Sequence, residues 1–492
     1  MKSSTIYQSF FITIILLSLN VNGHAQQNDC ISDRYQKRVF NNIQVTQNVT
    51  FGSAQNVLLF NQSLEMDIYE PDPNEEYLTK RPLVVMFFGG GYLLGSKNDA
   101  DMEAWCDSLA HRGYVCASVE YRLDNAPNFA ILNQGVRAAY RAIQDGNAAI
   151  RYLLEDPSNM GLNIDPDYIY TGGESAGAIT AINLAYLEEA ERPTVTYNYN
   201  IFNPDLGCIS CSGNNYNQPF SIRGIIDLWG AVLDVNHIDA SENVPMVIIH
   251  GDQDLIVPYT SGYPFNIPIF PAMFGAVPMD ARLTSLGISH EFYPYPGEGH
   301  VVYGVSSGII TFPNQYWNPI FTQGHEFLYN QTMAFDSPIP TGLDLLCNGD
   351  IATYQFPPNA ASNFCWDIQN GTVLSSTSNS VTVQWNNLPG TVTLTEENCI
   401  DVSGIPKTLQ VNTTPSSYSI ANGNMLTGTQ YPTVDYETDG IIESNQIIQL
   451  DPTNPTALNV DYDSRTLIEL KIGFEVVLGP EFHAFIDGCG NQ

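Results

Sequence analysis

The residue types of an acyl-transfer site occur on three separate stretches of this chain, in the order serine, aspartate, histidine. Ser175 lies in "GGESAG", Asp254 in "HGDQDLIVP" and His300 in "YPGEGH". A serine hydroxyl becomes a nucleophile when a histidine takes its proton and a carboxylate orients that histidine. The Gly-x-Ser-x-Gly pattern alone is a weak signal, because about 0.2 matches arise by chance in a chain this long. Together, the three stretches predict attack on an ester or amide carbonyl.

Backbone N–H groups are predicted to form the oxyanion hole. Ala176 follows the nucleophile, and "FFGGGY" is a glycine-rich loop that follows an earlier apolar run. Glycines let the backbone approach a substrate oxygen to about 2.7–3.1 Å. We therefore expect donors at Ala176, Gly90 and Gly91, with Gly90 first. The predicted reaction needs no cofactor and no metal.

The acid and the base each have an alternative. Asp252 and Asp254 both lie just beyond an apolar run, within reach of a histidine on the next loop. His325 is the other candidate base, but "TQGHEFLYN" has a helical pattern. His300 ends a glycine-rich turn, which lets its ring reach back over Ser175. The residues alone favour His300 and leave both aspartates open.

An α/β sheet is predicted to position these residues. From residue 51 to about 336, apolar runs typical of buried strands alternate with helical patterns. The runs include "RPLVVMFF", "DYIYTGG", "IRGIIDL", "VPMVIIHG" and "ISHEFYPY". Nucleophile, acid and base each follow such a run, so we expect them at the carboxyl edge of a mostly parallel sheet with helices on both faces.

From about residue 50 to 335, the chain resembles α/β-hydrolases of the carboxylesterase type, close to the bacterial feruloyl and acetyl-xylan esterase-like group. The similar motifs are "MDIYEP", "GGGYLLGSK", "RGYVCASVEYRL", "AAIRYL", "GGESAG", "HGDQDLIVP" and "GEGH". The resemblance implies a serine carboxylester hydrolase acting on plant or algal polysaccharide esters or related carboxylic esters. It assigns the acid to Asp254, the last Asp of an HG-x-x-D turn. Phe88 departs from the pattern, since those enzymes usually carry there a His that helps hold the oxyanion loop.

Beyond "DSPIPTG" (336–342) the patterns become all β. "VTVQWNN" and "TVTLTEE" alternate at period two and are predicted to form a hairpin through Leu388-Pro389-Gly390. We expect domains at 26–335 (α/β-hydrolase), 343–418 (antiparallel sandwich) and 422–492 (β-rich, short solenoid). The sandwich resembles PKD-like, immunoglobulin-type modules of exported Bacteroidetes proteins through "ATYQFP" and "FCWDIQNG", and the tail resembles stacked-β tails of similar proteins.

Residues 1–25 are predicted to be a cleaved signal peptide. Lys2 precedes an apolar run from Phe10 to Leu19, and Gly23-His24-Ala25 has the small-x-small pattern of a cleavage site. The run is shorter than the roughly 20 residues that span a bilayer. We therefore expect a secreted or cell-surface protein without a membrane span.

The net charge limits the classes of binding partner, and the cysteine spacing indicates a disulfide. The chain has 18 Lys and Arg against 52 Asp and Glu, a formal net charge of −34, so nucleic acid and anionic surfaces would repel it. The expected partner is an ester substrate. Polymeric esters, such as those of a polysaccharide or a polyester, are among the candidates. Cys208 and Cys211 are expected to form a small loop disulfide rather than a metal site.

Two other functions remain open. A serine peptidase related to prolyl peptidases would use the same three residues, although those enzymes usually carry a large propeller before the hydrolase domain. The second is a non-catalytic adhesion protein with a hydrolase fold. Phe88 favours it, because the usual His of the oxyanion loop is missing there. Trp229 and the apolar insertion at 259–275 are expected either to line a substrate cleft or to belong to the core.

Overall fold

The computed structural model describes most of the chain. The described ranges are 32–124, 134–197, 203–304, 312–357, 362–377, 379–414, 417–420, 433–438, 441–444, 447–448, 459–464, 467–471, 475–476 and 481–485. The predicted signal peptide at 1–25 lies outside the described residues.

The first part is built around one large sheet. Its described strands are β1 (Ile43–Gln55), β2 (Asn61–Pro71), β3 (Arg81–Phe87), β4 (Val115–Glu120), β5 (Ile164–Glu174), β6 (Ile222–Leu228), β7 (Met246–Gly251), β8 (Ser261–Gly262), β9 (Met273–Phe274) and β10 (His290–Tyr295). The sheet order is β1-β2-β4-β3-β5-β6-β7-β10, with β8 and β9 as a separate two-stranded hairpin. Within the sheet, the pairs β4-β3, β3-β5, β5-β6, β6-β7 and β7-β10 are parallel. The pairs β1-β2 and β2-β4 are antiparallel.

Helices cover this sheet. They are α1 (Ala100–Ala110), α2 (Gln134–Glu155), α3 (Ala176–Tyr186), α4 (Ala276–Leu286) and α5 (Trp317–Phe327). Every residue of β3 is buried, as expected of a parallel strand covered on both faces. In α2, the face bearing Tyr140, Ile143, Ile150 and Leu153 is buried, and α2 packs against α3. The predicted α/β-hydrolase fold is confirmed.

A β-sandwich follows. Its described strands are β11 (Leu345–Leu346), β12 (Ile351–Gln355), β13 (Asn363–Gln369), β14 (Gly371–Ser376), β15 (Ser380–Trp385), β16 (Gly390–Glu397) and β17 (Lys407–Thr413). They form two sheets, β11-β17-β16-β13 and β12-β15-β14. Tyr354 and Trp385 from one sheet and Val392 and Val411 from the other share one buried core.

The predicted hairpin between β15 and β16 is wrong. β15 pairs with β12 and β14, whereas β16 pairs with β13 and β17. Residues 386–389 therefore carry the chain from one sheet to the other. Val383 on β15 and Val392 on β16 are both buried in the shared core. Period-two alternation shows that a strand buries one face but does not identify its neighbour.

Short parallel strands form the tail. They are β18 (Ser417–Ile420), β19 (Thr433–Thr438), β20 (Ile441–Ser444), β21 (Ile447–Ile448), β22 (Asn459–Ser464), β23 (Leu467–Leu470), β24 (Glu475–Val476) and β25 (Glu481–Phe485). The described ladders are β18-β20-β23, β19-β22-β25 and β21-β24. In one of them Ser417 lies opposite Ile441, which lies opposite Leu467. Each ladder thus stacks strands from successive coils of the chain.

The loop between β16 and β17 packs on the α/β domain. The Tyr35 hydroxyl donates to the Ile400 carbonyl at 2.8 Å, and Arg34 contacts Asp401 at 3.1 Å. Ile400 and Val402 are buried in the same hydrophobic core as the large sheet. The amino-terminal segment of the α/β domain is therefore partly covered by the sandwich.

Cys208 and Cys211 form a disulfide, as predicted. Cys347 and Cys365 each take part in a disulfide as well. None of the helices in the described ranges is long and apolar enough to cross a membrane.

Candidate active site

Ser175 occupies the turn between β5 and α3. Its backbone has φ 53° and ψ −116°, a strained region for a residue with a side chain. The turn is tightly packed, because a Cβ on Gly173 would lie 2.6 Å from the carbonyl carbon of Gly177, and one on Gly177 would collide with the Phe87 carbonyl. Glycine is therefore required on both sides of the serine, as the sequence motif predicted.

The three predicted residues form one hydrogen-bonded chain. His300 Nε2 lies 2.8 Å from Ser175 Oγ, and His300 Nδ1 lies 2.6 Å from Asp254 Oδ2. Asp254 follows β7 and His300 follows β10, which are adjacent parallel strands. Their carboxyl ends meet at one edge of the sheet, beside the turn that carries Ser175. Both distances are in the range for a nucleophile, its base and the group that orients the base.

Asp254 is held as a carboxylate. Its Oδ1 accepts the backbone N–H groups of Ile256 at 2.7 Å and Val257 at 3.0 Å, and its Oδ2 also lies 3.1 Å from His250 Nε2. Burial acts to raise the pKa of Asp254, but the hydrogen bonds from His250 and His300 outweigh it and hold that pKa well below its usual range. The charged form is thus the stable one next to His300.

The alternative residues lie elsewhere. Asp252 accepts the N–H of Gly297 at 2.8 Å, so it braces the turn that leads to His300. His325 is buried in α5 with its ring 4.9 Å from that of Phe321. Burial, with a smaller effect from Arg112, lowers the pKa of His325 to about 4. Neither residue contacts Ser175 through any described hydrogen bond.

Two buried residues behind the acid were not recognised as part of the site. One is His250, whose Nε2 lies 3.1 Å from Asp254 Oδ2. Asp227 on β6 is fully buried, and burial raises its pKa to about 7, against an opposing effect of His250. Its Oδ1 accepts the Gly230 N–H at 2.8 Å. The available signal was a polar residue within an apolar strand pattern, because such residues are rarely buried without a partner.

The predicted oxyanion donors surround the same cavity as Ser175 and His300. Gly90 has φ 99° and Gly91 has φ 63°, values that favour glycine. The Gly90 carbonyl accepts the N–H groups of Leu93 and Leu94 at 3.1 Å, which closes the loop. Ala176 is the first residue of α3, and the first N–H groups of a helix have no partner within it.

Tyr121 supports the oxyanion loop, and Phe88 packs beside it. The Tyr121 hydroxyl lies 2.7 Å from the Phe88 carbonyl and 3.1 Å from the Gly89 carbonyl. The Phe88 ring is stacked on the Tyr121 ring at a centroid distance of 4.2 Å. The loop therefore has a buried hydrogen-bond donor beneath it, although no histidine occupies position 88.

A pair of buried acids lies on the other side of the loop. The carboxyl groups of Glu174 and Asp101 are close enough to influence each other, and the Glu174 side chain lies against Gly89. Burial, together with the neighbouring carboxyl, raises the pKa of Glu174 well above its usual range. Glu174 is therefore favoured in its neutral, protonated form beside Asp101.

Ser175 opens into a cavity of about 500 Å³. Its described walls come from the oxyanion loop, from α2 and α3, and from the apolar insertion at 259–275. Of the two features left open by the sequence, the insertion lines this cleft. Trp229 is fully buried, and its ring lies 6.4 Å from that of His300.

Comparisons with known proteins find partial similarity to esterases and to a neuroligin-like protein. Residues 66–243 match the family model described as BD-FAE. The chain is 30% identical over 121 residues to Gut esterase 1 of Caenorhabditis briggsae (25% of this chain, 20% of that protein). It is 31% identical over 116 residues to Neuroligin-like protein glit-1 of Caenorhabditis elegans (23% of this chain, 15% of that protein).

The matches therefore span about a fifth of the length of these curated relatives or less. Among solved structures, native esterase 2 of Thermogutta terrifontis is 20% identical, with 58% of this chain and 92% of that chain covered and a TM-score of 0.39. The α/β part of this protein has the α/β-hydrolase fold, and residues 66–243 within it are similar to the BD-FAE family.

Proposed function

We propose that this protein is a serine carboxylester hydrolase. The observation that carries the proposal is the unbroken hydrogen-bonded chain from Asp254 through His300 to Ser175. The similarity of the α/β part to esterases supports it. The resemblance at sequence level implies polysaccharide esters or related carboxylic esters as substrates.

The geometry supports a two-step reaction. His300 Nε2 takes the proton of Ser175 Oγ as the oxygen attacks the ester carbonyl, and the N–H groups of Gly90, Gly91 and Ala176 stabilise the oxyanion. The imidazolium then gives its proton to the departing alcohol. Water attacks the acyl-serine by the same route, with His300 again as base, and the carboxylic acid leaves. Asp254, held anionic, stabilises His300 while it is protonated.

We also infer that the protein is exported. The Cys208–Cys211 disulfide and the bonded Cys347 and Cys365 support this proposal, because structural disulfides persist mainly in oxidising compartments.

Matched histidine and serine variants test the proposed function. Ser175→Ala and His300→Ala should lower kcat for p-nitrophenyl butyrate by on the order of 10⁴ to 10⁶, because each removes part of a unit that acts together. His325→Ala and Ser285→Ala should stay within about threefold, apart from any loss of stability, because neither touches the site.

Steady-state kinetics on variants checked for folding by circular dichroism give the comparison. Retention of more than a tenth of the activity by Ser175→Ala contradicts the proposal. A peptide p-nitroanilide included as substrate separates the esterase from a peptidase, which would cleave it at a comparable rate.

A further inference from the structure

The cleft beside Ser175 follows the whole length of α3. Ile179, Asn183 and Leu187 all line it, and their spacing of four residues places them on one helix face. From Ser175 to Leu187 the helix rises about 18 Å. A groove of this length extends far beyond an acetyl or butyryl group attached to the serine.

Three of the polar side chains along the groove are bonded to the protein, while Nδ1 of His237, which also lines it, has no hydrogen-bond partner among the described residues. The Tyr140 hydroxyl donates to the Gly207 carbonyl at 2.9 Å, the Tyr92 hydroxyl to the Ala176 carbonyl at 2.9 Å, and Asn183 Nδ2 to the Ile179 carbonyl at 2.8 Å. A site built for a hydroxylated acyl group or a sugar would present free donors and acceptors to it. These walls present mainly hydrocarbon.

Another part of the cavity lining comes from a segment without charged residues. Residues 255–279 contain no Asp, Glu, Lys, Arg or His, although charged residues make up 14% of the chain. We call residues 255–274 the rim hairpin, since they include β8 and β9. Phe265 and Ile269 line the cavity and are still 46% and 45% exposed.

Apolar side chains continue from the cleft onto the surface around its mouth. Within the rim hairpin Leu255 is 68% exposed, Ile267 46% and Tyr263 42%, and Leu94 on the oxyanion loop is 71% exposed. Several exposed apolar side chains on the segments that line a cleft are typical of an interaction site. On a protein with a net charge of −34, such a surface suits an uncharged apolar phase and not an anionic one.

We propose that the substrate is an uncharged ester of a long aliphatic carboxylic acid, hydrolysed at the surface of its own aggregates. The acyl chain lies along α3, and the rim hairpin contacts the aggregate. The ester C–O bond breaks, the acyl group passes to Ser175 Oγ, and water releases the free acid, with the alcohol leaving first. This inference rests on the proposed esterase function. Of the substrates named there, it selects carboxylic esters with a long aliphatic acyl chain and not polysaccharide esters.

A chain-length series tests the groove. With full-length protein, kcat/KM for p-nitrophenyl esters below their solubility limits should rise from acetate to decanoate, by up to about fourfold per methylene buried and at least tenfold in total. Acetylated xylan and methyl ferulate should be poorer substrates than the decanoate. A maximum at acetate, or preference for either of those two substrates, overturns the inference. Hydrolysis of the acetate that depends on Ser175 would then still support the esterase function.

A surface variant tests the rim hairpin. For Ile267→Asp, the ratio of the rate on emulsified trioctanoylglycerol to the rate on dissolved p-nitrophenyl butyrate should fall at least fivefold. Ile339→Asp, at an isoleucine that is 64% exposed in the linker, is the matched control and should keep the wild-type ratio. An unchanged ratio in Ile267→Asp, or an equal fall in both variants, contradicts contact with the aggregate through this surface.

Discussion

Around Ser175, burial and hydrogen bonding give the acidic side chains different protonation states. Asp254 has a lowered pKa because two histidines donate to it. Asp227 has a raised pKa because it is buried, and Glu174 has one because it is buried beside the carboxyl group of Asp101. A charged acid next to His300 favours the imidazolium that forms during catalysis. The neutral acids serve instead as polar packing beneath the site.

Asp227 predicts a stability that depends on pH. Because its folded-state pKa is raised to about 7, the stabilisation from its bound proton is complete below about pH 4 and is lost as pH rises towards 7. Asp227→Asn stays neutral and can still accept the Gly230 N–H. We compare the free energy of unfolding of the variant with that of the wild type at each pH. This difference should shift in favour of the variant by about 2–4 kcal/mol from pH 4 to pH 8.

Urea unfolding at the two pH values measures this difference. Asp107→Asn, at a side chain that is 47% exposed, is the control and should show no such gain. An Asp227→Asn curve parallel to that of the wild type across this range would be inconsistent with a buried neutral acid.

At the scale of elements, strand ends were predictable and strand partners were not. Ser175, Asp254 and His300 each follow an apolar run, so local patterns were enough to place them at one edge of the sheet. The bond between His250 and Asp254, with Asp227 nearby, depends on how β6 and β7 lie side by side, which no local pattern records. The sandwich shows the same limit, since β15 and β16 alternate as a hairpin would and yet belong to different sheets.

The oxyanion loop predicts a role for Tyr121. Tyr121→Phe removes the hydroxyl that lies against the carbonyls of Phe88 and Gly89 but keeps the stacked ring. We expect kcat for p-nitrophenyl butyrate to fall about 5- to 50-fold with little change in KM, because the loop donors act on the transition state more than on the bound ester. Tyr293→Phe, which removes a hydroxyl bonded to Glu291, is the control. A change in KM alone would show that Tyr121 does not position the oxyanion donors.

At the scale of the whole molecule, the proposed catalytic residues all belong to the α/β part, and the sandwich packs against that part. All predicted site residues lie before residue 301, and the loop between β16 and β17 covers Tyr35 and Arg34. Arg34 also pairs with Glu76 at 2.9 Å, so its charge keeps a partner when Asp401 is absent. The domain boundaries predicted from the sequence stay predictions.

A chain that ends at Asp336 should keep the activity and lose stability. Its kcat/KM for a dissolved ester should match that of the full chain within about twofold. Loss of the Tyr35 hydrogen bond and of the burial by Ile400 and Val402 should lower Tm by about 5–10 °C. Differential scanning calorimetry and initial rates give both values. An inactive but folded fragment would mean that the sandwich completes the site.

Covalent labelling tests the central claim most directly. Treatment of the full-length protein with an alkyl fluorophosphonate, followed by peptide mass spectrometry, should find one adduct on the peptide that contains Ser175, with activity lost in proportion to labelling. His300→Ala should label far more slowly, because its serine lacks the base at 2.8 Å. Full esterase activity with no adduct on Ser175, or inactivation through another residue, would contradict the assignment of Ser175 as the nucleophile.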